Sequence, residues 1–300
     1  KYWFYLGVLG VLMSAPNATV IKYSLSSIDP FLFNALRFLL IAVLTTPALL
    51  LGIKRLKKSN TMYALKAGLF MTFAVMTYVM AINLSQASYV SIITLLTPII
   101  FILLSAKMTG EKISQKSIAG ITLAAIGAAV IVVLPIAIAQ DGQLALNPLV
   151  IILALSNTVL FPLAVINFKK ANEKGISMMS LMSVSSWMVF IINIAFFVFR
   201  GGTSGNINKE AIFGIIYSGI IVAFVGRVLN IISYEHIGSA VTSALGYLDV
   251  FLAILLPVLI LDEKLSPEMI IGGILILCGV YVVEYHKSVH HKHHHIFRSH

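Results

Sequence analysis

The sequence predicts an all-α membrane protein: ten transmembrane helices, arranged as two inverted five-helix repeats around a central cavity. Three observations predict it. The 300 residues are 59% hydrophobic and only 11% charged, against roughly 45–50% and about 25% in soluble domains. The apolar residues fall into runs of the length that crosses a bilayer as a helix. One stretch of the first half returns in the second half at a constant offset. A soluble fold cannot cover so much apolar side chain with so few charges, so the composition excludes a soluble enzyme, a DNA-binding protein and a disordered chain. At about 20 residues per span, ten spans use nearly the whole length and leave no soluble domain.

The apolar runs place spans near 2–22, 30–52, 62–82, 86–106, 117–138, 148–168, 177–199, 211–232, 238–261 and 267–285. The opening KYWFYLGVLGVLMSAP loosely imitates a signal peptide. The apolar pattern resumes at once, so it is read as the first span, retained. Asp29-Pro30, Asn147-Pro148 and Ser266-Pro267 each offer a capping residue followed by a proline, the pairing that opens helices. The Arg200-Gly-Gly-Thr-Ser-Gly205 stretch reads as a loop. The expected units are residues 1–138 and 139–285, one five-helix repeat each, and a His-rich cytoplasmic tail over 286–300.

The net charge of +10 would suggest nucleic acid for a soluble protein. Here it reads as basic cytoplasmic loops. Of the 21 Lys and Arg residues, only Lys22, Arg200, Lys209 and Lys264 fall on the outer side when the N-terminus is inside. Arg37 and Arg227 fall within spans, and the rest are cytoplasmic. The positive-inside rule then puts both termini in the cytoplasm of a multi-pass protein of the cytoplasmic (inner) membrane.

Residues 81–127 and 233–279 match at an offset of 152. Glu111-Lys112 falls on Glu263-Lys264, Ser114 on Ser266, Gly120 on Gly272 and Gly127 on Gly279. The offset spans five helices, an odd number, so the second copy crosses the membrane in the opposite sense. Inverted repeats are a mark of secondary transporters, whose halves rock about a shared site.

With these landmarks the chain resembles the EamA branch of the drug/metabolite transporter superfamily. The first half carries Ala81, Ala87-Ser88, Pro98 and Gly110-Glu111-Lys112-Ile113-Ser114. The second carries Gly238-Ser239-Ala240 and Asp262-Glu263-Lys264-Leu265-Ser266. Pro30 and Arg37 fit a proline-then-arginine pattern in the second span. Tyr247-Leu248-Asp249-Val250 stands where the family often reads Tyr-Leu-Glu-Pro, with the carboxylate kept and the proline lost. The resemblance covers nearly the whole chain. It implies a cavity between spans one, three, four, six, eight and nine, and export of amino acids or other small metabolites. It names no substrate.

Ionisable side chains deep in a span cost about 2.5–3.5 kcal/mol on insertion scales, so they default to functional candidates with a partner expected. Three qualify: Arg37, Arg227 and Asp249. Asp249 is expected to bind substrate or to exchange protons, since a carboxylate withdrawn from water can do so near neutral pH. The other use of these three is a structural ion pair, and either arginine can instead snorkel to an interface. A second tier of polar residues lies within spans: Asn17, Asn34, Tyr78, Thr94, Thr97, Asn157, Asn193, Asn230 and Tyr247. Buried amides commonly bond a neighbouring helix, yet sites gather at the repeat interface near the midplane. With the cavity that the resemblance implies, Asn17, Tyr78, Asn157, Asn230, Tyr247 and Asp249 are the expected substrate contacts. A substrate ammonium would face Asp249 and a carboxylate an arginine.

Pro16, Pro47, Pro98, Pro162 and Pro257 lie inside spans, where each removes a backbone hydrogen bond. Pro98, at the middle of span four, is the expected hinge. Gly120, Ala124, Gly127 and Ala128 form a small-residue stripe for close helix packing. Cys278 reads as a small buried hydrophobe. The tail holds seven of the eight histidines; it reads as solvated, with metal response as the alternative. No span shows metal-ligand spacing, no glycine loop cradles a phosphate and no HExxH or GxSxG appears. The chain is therefore expected to be neither an enzyme nor ATP-driven, and to need no cofactor, metal or nucleic acid. The expected function is secondary active transport of a small polar metabolite by alternating access, in the export direction. An importer or exchanger and a metal-responsive transporter are the alternatives, ahead of a channel or a membrane-embedded enzyme. The expected partners are a small-molecule substrate and the lipid bilayer, for a monomer or homodimer.

Overall fold

The computed structural model describes residues 2–52, 58–109, 114–138, 147–202, 207–226, 229, 236 and 239–296. Among these there are helices and no strands. The helices are α1 (Tyr2–Ser14), α2 (Asn17–Ser24), α3 (Pro30–Gly52), α4 (Lys58–Leu84), α5 (Ala87–Thr94), α6 (Thr97–Thr109), α7 (Gln115–Ile138), α8 (Pro148–Glu173), α9 (Met178–Phe199), α10 (Lys209–Ile216), α11 (Ser239–Leu261) and α12 (Pro267–Ile296). A π-helix, Tyr217–Gly226, continues α10. Eight segments are long and apolar enough to cross a bilayer. Two shorter apolar helices, Leu248–Leu261 and Pro267–Val283, fall where the ninth and tenth spans are expected.

The exterior is apolar. Leu51, Val198, Phe199 and Leu259 are each more than 60% exposed. In water such a surface would aggregate, whereas in lipid it is the solvated face. Ser24, Asn34, Thr72, Ser88 and Asn193 lie inside instead. The Ser24 and Thr72 hydroxyls bond the carbonyl one turn back, to Val20 and to Gly68, at 2.8 Å each. That satisfies a polar group where no water can.

The helix starts follow the cap-plus-proline pairs. Asp29 Oδ1 accepts from the Phe31 amide at 2.8 Å and the Leu32 amide at 3.2 Å. Asn147 Oδ1 accepts from Leu149 at 2.9 Å. Each carboxylate or amide fills an orphan donor of a first turn, and the proline has no donor to waste.

Two spans are interrupted, and each break sits at a proline. Span one breaks between Ser14 and Asn17, around Pro16, and span four breaks at Leu95 and Leu96, just before Pro98. At the second break Leu95 and Leu96 donate three residues back, to Ile92 and Ile93, at 3.2 and 3.1 Å, a tighter turn than the α-helix. Pro47, Pro162 and Pro257 stay inside continuous helices. Val250 occupies the repeat position of Pro98, and α11 runs through it unbroken. The tenth helix is longer than its apolar part: α12 continues to Ile296 through the histidine tract, where no glycine or proline stops it.

Packing pairs α7 with α12, α4 with α8 and α3 with α9. The α7–α12 contact is made by glycines. A Cβ on Gly127 would stand 2.6 Å from the Gly272 carbonyl oxygen, and one on Gly120 would stand 2.7 Å from that of Gly279. The contacts are reciprocal: Gly272 meets the Gly127 carbonyl oxygen and Gly279 that of Gly120. Bare backbone on both sides lets the two helices touch, which is how small residues replace the missing hydrophobic drive between helices in lipid.

At the end of α11 the chain turns through Asp262 at φ 53°, the left-handed conformation that suits glycine and is tolerated by Asp. Gly110 stands at the matching place in the first half. This turn aims the next residue, Glu263, back into the bundle.

Candidate functional site

The polar centre of the bundle forms at the break in span one. Where α1 stops, Ser14 turns its hydroxyl to Asp249 Oδ1 on α11, 2.8 Å away. A continuous helix would satisfy the Met13 carbonyl from the Asn17 amide. Here the Tyr217 hydroxyl of the π-helix donates to it at 3.0 Å. α2 begins at Asn17 with no side-chain cap from Pro16, so its first amides and its positive dipole end face the break. Asn17 Oδ1 is buried there without a hydrogen-bond partner. The break thus gathers a carboxylate, two hydroxyls, an unpartnered amide oxygen and a helix N-terminus.

Tyr78 on α4 is near both the Arg37 guanidinium on α3 and the Asp249 carboxylate. Arg37 does not snorkel to an interface: it is 6% exposed. Its guanidinium carbon lies 5.3 Å from the Phe33 ring centroid and 5.1 Å from that of Phe38, which is cation–π range. Its Nε has no hydrogen-bond partner. The π-helix packs directly on it, since a Cβ on Gly219 would stand 2.8 Å from the Arg37 carbonyl oxygen. A buried cation with an open donor demands an anionic or polar partner.

The other expected contacts sort by what they touch. Asn157 Nδ2 donates to the Ala74 carbonyl at 2.9 Å and ties α8 to α4. Asn193 Nδ2 bonds Val189 on its own helix at 2.8 Å, and Thr94 Oγ1 bonds Ser91 O at 2.8 Å. Asn34 and Asn193 each keep an unpartnered buried Oδ1. Thr97 opens α6 at the second break, one residue before Pro98. Tyr247 lies in α11 two residues before Asp249. Arg227 and Asn230 lie outside the described residues. Cys278 is exposed rather than buried; it sits on the outer face of α12, where lipid is its surrounding. Among the described residues no group of three or more His, Cys, Asp or Glu side chains could hold a metal ion.

Sequence reasoning did not single out Ser14 or Tyr217. The available signal was Pro16: the residues flanking a mid-span proline inherit the freed backbone groups. It also left Lys22 and Glu263 as loop charges. In the structure Lys22 Nζ donates to the carbonyls of Ile82, Asn83 and Ser85 at 2.9, 3.3 and 2.6 Å. Glu263 accepts from the Ala87 and Ser88 amides at 2.7 and 2.8 Å, and from Ser88 Oγ at 2.6 Å.

The model of the EamA-like transporter family matches residues 1–133 and 148–285. The chain belongs to this family. It is 27% identical over 296 residues to an Escherichia coli (strain K12) protein named "Probable amino-acid metabolite efflux pump", covering 92% of this chain and 93% of that protein. A solved crystal structure superposes with a TM-score of 0.62 at 18% identity, covering 94% of this chain and 96% of the other; this likeness shows the shared fold alone. The chain is a multi-pass membrane protein of a transporter family.

Proposed function

We propose that this EamA-like protein is a secondary transporter of small zwitterionic metabolites, amino acids above all, held at the break in span one. The observation that carries the proposal is that Tyr78 is near both a carboxylate, Asp249, and a guanidinium, Arg37. Asp249 offers a carboxylate to a substrate ammonium. The unpartnered Arg37 Nε and the free amides at the start of α2 offer donors to a substrate carboxylate. Helix N-termini inside transporters hold anionic groups in this way. The name of the E. coli relative agrees with this class and with export.

Alternating access is the mechanism this reading supports. The α7–α12 glycine contacts support two inverted halves: residue 120 meets 279 and 127 meets 272, while 120 matches 272 and 127 matches 279 at the repeat offset. Such exchange of partners is what a pseudo-two-fold axis between the halves produces. The broken spans one and four supply the joints, Pro98 acting as the hinge. Both termini are cytoplasmic in an inner-membrane orientation, a reading supported by the bias of basic residues between the loops. The site lies inside one chain, which suits a monomer or a homodimer.

A binding measurement tests the substrate class. Thermal stability of the purified protein rises with an intact α-amino acid, because a ligand at about 100 times its Kd stabilises by about 2.7 kcal/mol. The N-acetylated and the amidated forms of the same amino acid give little or no rise. Equal stabilisation by all three forms would show that the two charges are not read.

A further inference from the structure

The six hydrogen bonds made by Lys22 and Glu263 converge on one short turn. α4 ends at Leu84 and α5 begins at Ala87. The last carbonyls of a helix and its first amides have no partners within the helix. Lys22 fills the carbonyl side of this turn, and Glu263 fills the amide side, each with three bonds. Their charges also suit the two dipole ends, a cation at the C-terminus of α4 and an anion at the N-terminus of α5. Gln86, the residue that would ordinarily cap α5, contributes no side-chain bond. The caps come instead from span one and from the α11–α12 turn, 60 to 63 and 175 to 176 residues away in sequence.

A cleft of about 730 Å³ lies at this end of the bundle, lined by Lys22, Tyr89, Glu263 and Glu268 among others. Tyr89 follows Ser88, which Glu263 holds. It lines the cleft yet is only 1% exposed, and its hydroxyl has no hydrogen-bond partner. Tyr89 thus stands at the wall of the cleft, next in sequence to the residues that Glu263 fastens.

We propose that Glu263 and Lys22 form a releasable latch that shuts this end of the bundle. Glu263 clamps the α4–α5 turn to the α11–α12 turn, and Lys22 clamps it to span one. Opening the end requires both clamps to let go of backbone groups that then take water, which is available in the cleft. Such bonds can be exchanged for water at modest net cost, so the latch holds without locking. Asp262 enters as the positioning residue whose left-handed turn aims Glu263. The proposal rests on the transporter reading for its use, since a gate serves a pathway. Its test reads access to Tyr89 and not transport, so the two can fail separately.

The experiment uses the chain with Cys278→Ala and Tyr89→Cys, reconstituted in liposomes and probed with a membrane-impermeant maleimide. Labelling at position 89 is slow while Glu263 is present. It becomes at least about tenfold faster with Glu263→Gln, the factor that loss of one charge-assisted hydrogen bond corresponds to. Ser88→Ala, which removes one bond and leaves the carboxylate, gives a smaller increase in the same direction. A single size-exclusion peak for each variant shows that it is folded, and Ser88→Ala carries the test if Glu263→Gln does not fold. Labelling at position 89 that is equally fast before and after these changes, or equally slow, would overturn the latch.

Discussion

Asp249→Asn lowers amino acid exchange by about 30-fold or more, while the protein stays folded. Asparagine keeps an oxygen acceptor for the Ser14 hydroxyl, 2.8 Å away in the parent, so the α1–α11 contact survives and only the charge is removed. Losing one partner of a desolvated charge pair costs about 2–5 kcal/mol, and each 1.4 kcal/mol is about a factor of ten. The loss should appear in the initial exchange rate at substrate concentrations below half-saturation. Asp249→Glu retains the charge with one more methylene and keeps part of the rate. An Asp249→Asn protein exchanging at the parent rate and with the parent half-saturation would remove Asp249 from the site.

The second large effect is structural. Gly127→Leu abolishes the folded protein, and Gly127→Ala weakens it. The Cβ that either change introduces would stand 2.6 Å from the Gly272 carbonyl oxygen and 2.8 Å from Leu275 Cβ, and backbone cannot rotate out of the way as a side chain can. Overpacking a close interface costs roughly 1–3 kcal/mol for small insertions and more when backbone must shift. Thermal unfolding in detergent measures it, with Gly272→Ala matching Gly127→Ala because the two glycines face each other. A Gly127→Leu protein with the parent melting temperature would show that the glycine contact is not what joins α7 to α12.

The contrast between these two sites shows what a sequence can and cannot carry. Gly120 and Gly127 were visible in a small-residue stripe, and Gly272 and Gly279 as their repeat equivalents, because helix packing in lipid follows local spacing. The cap-and-proline starts at Pro30, Pro148 and Pro267 were visible for the same reason: each is settled within four residues. Asp249 and Arg37 stood out because a charge inside an apolar run is costly wherever it points. The partners of those charges were not visible. Ser14 and Tyr217 are ordinary residues that matter only because span one breaks beside them and the π-helix crosses that break. Pro98 was the expected hinge, but nothing local set Pro16 apart from Pro47, Pro162 and Pro257; in the structure the breaks fall around Pro16 and just before Pro98. Near Pro47, Thr45 and Thr46 bond the Ile41 and Ala42 carbonyls at 2.7 Å each, and the helix stays whole. Glu263 looked like a loop charge because its acceptor role is filled 175 residues away, a distance over which periodicity says nothing.

Counterflow is the most direct test of the transporter reading. The purified protein is placed in liposomes loaded with a high concentration of one unlabelled amino acid, and uptake of the same amino acid as a labelled trace is followed across a panel. The account predicts a transient, saturable overshoot of label for at least one zwitterionic amino acid, absent from protein-free liposomes and strongly reduced by Asp249→Asn. Folded protein that gives no overshoot with any amino acid, or an overshoot that Asp249→Asn leaves unchanged, would contradict it.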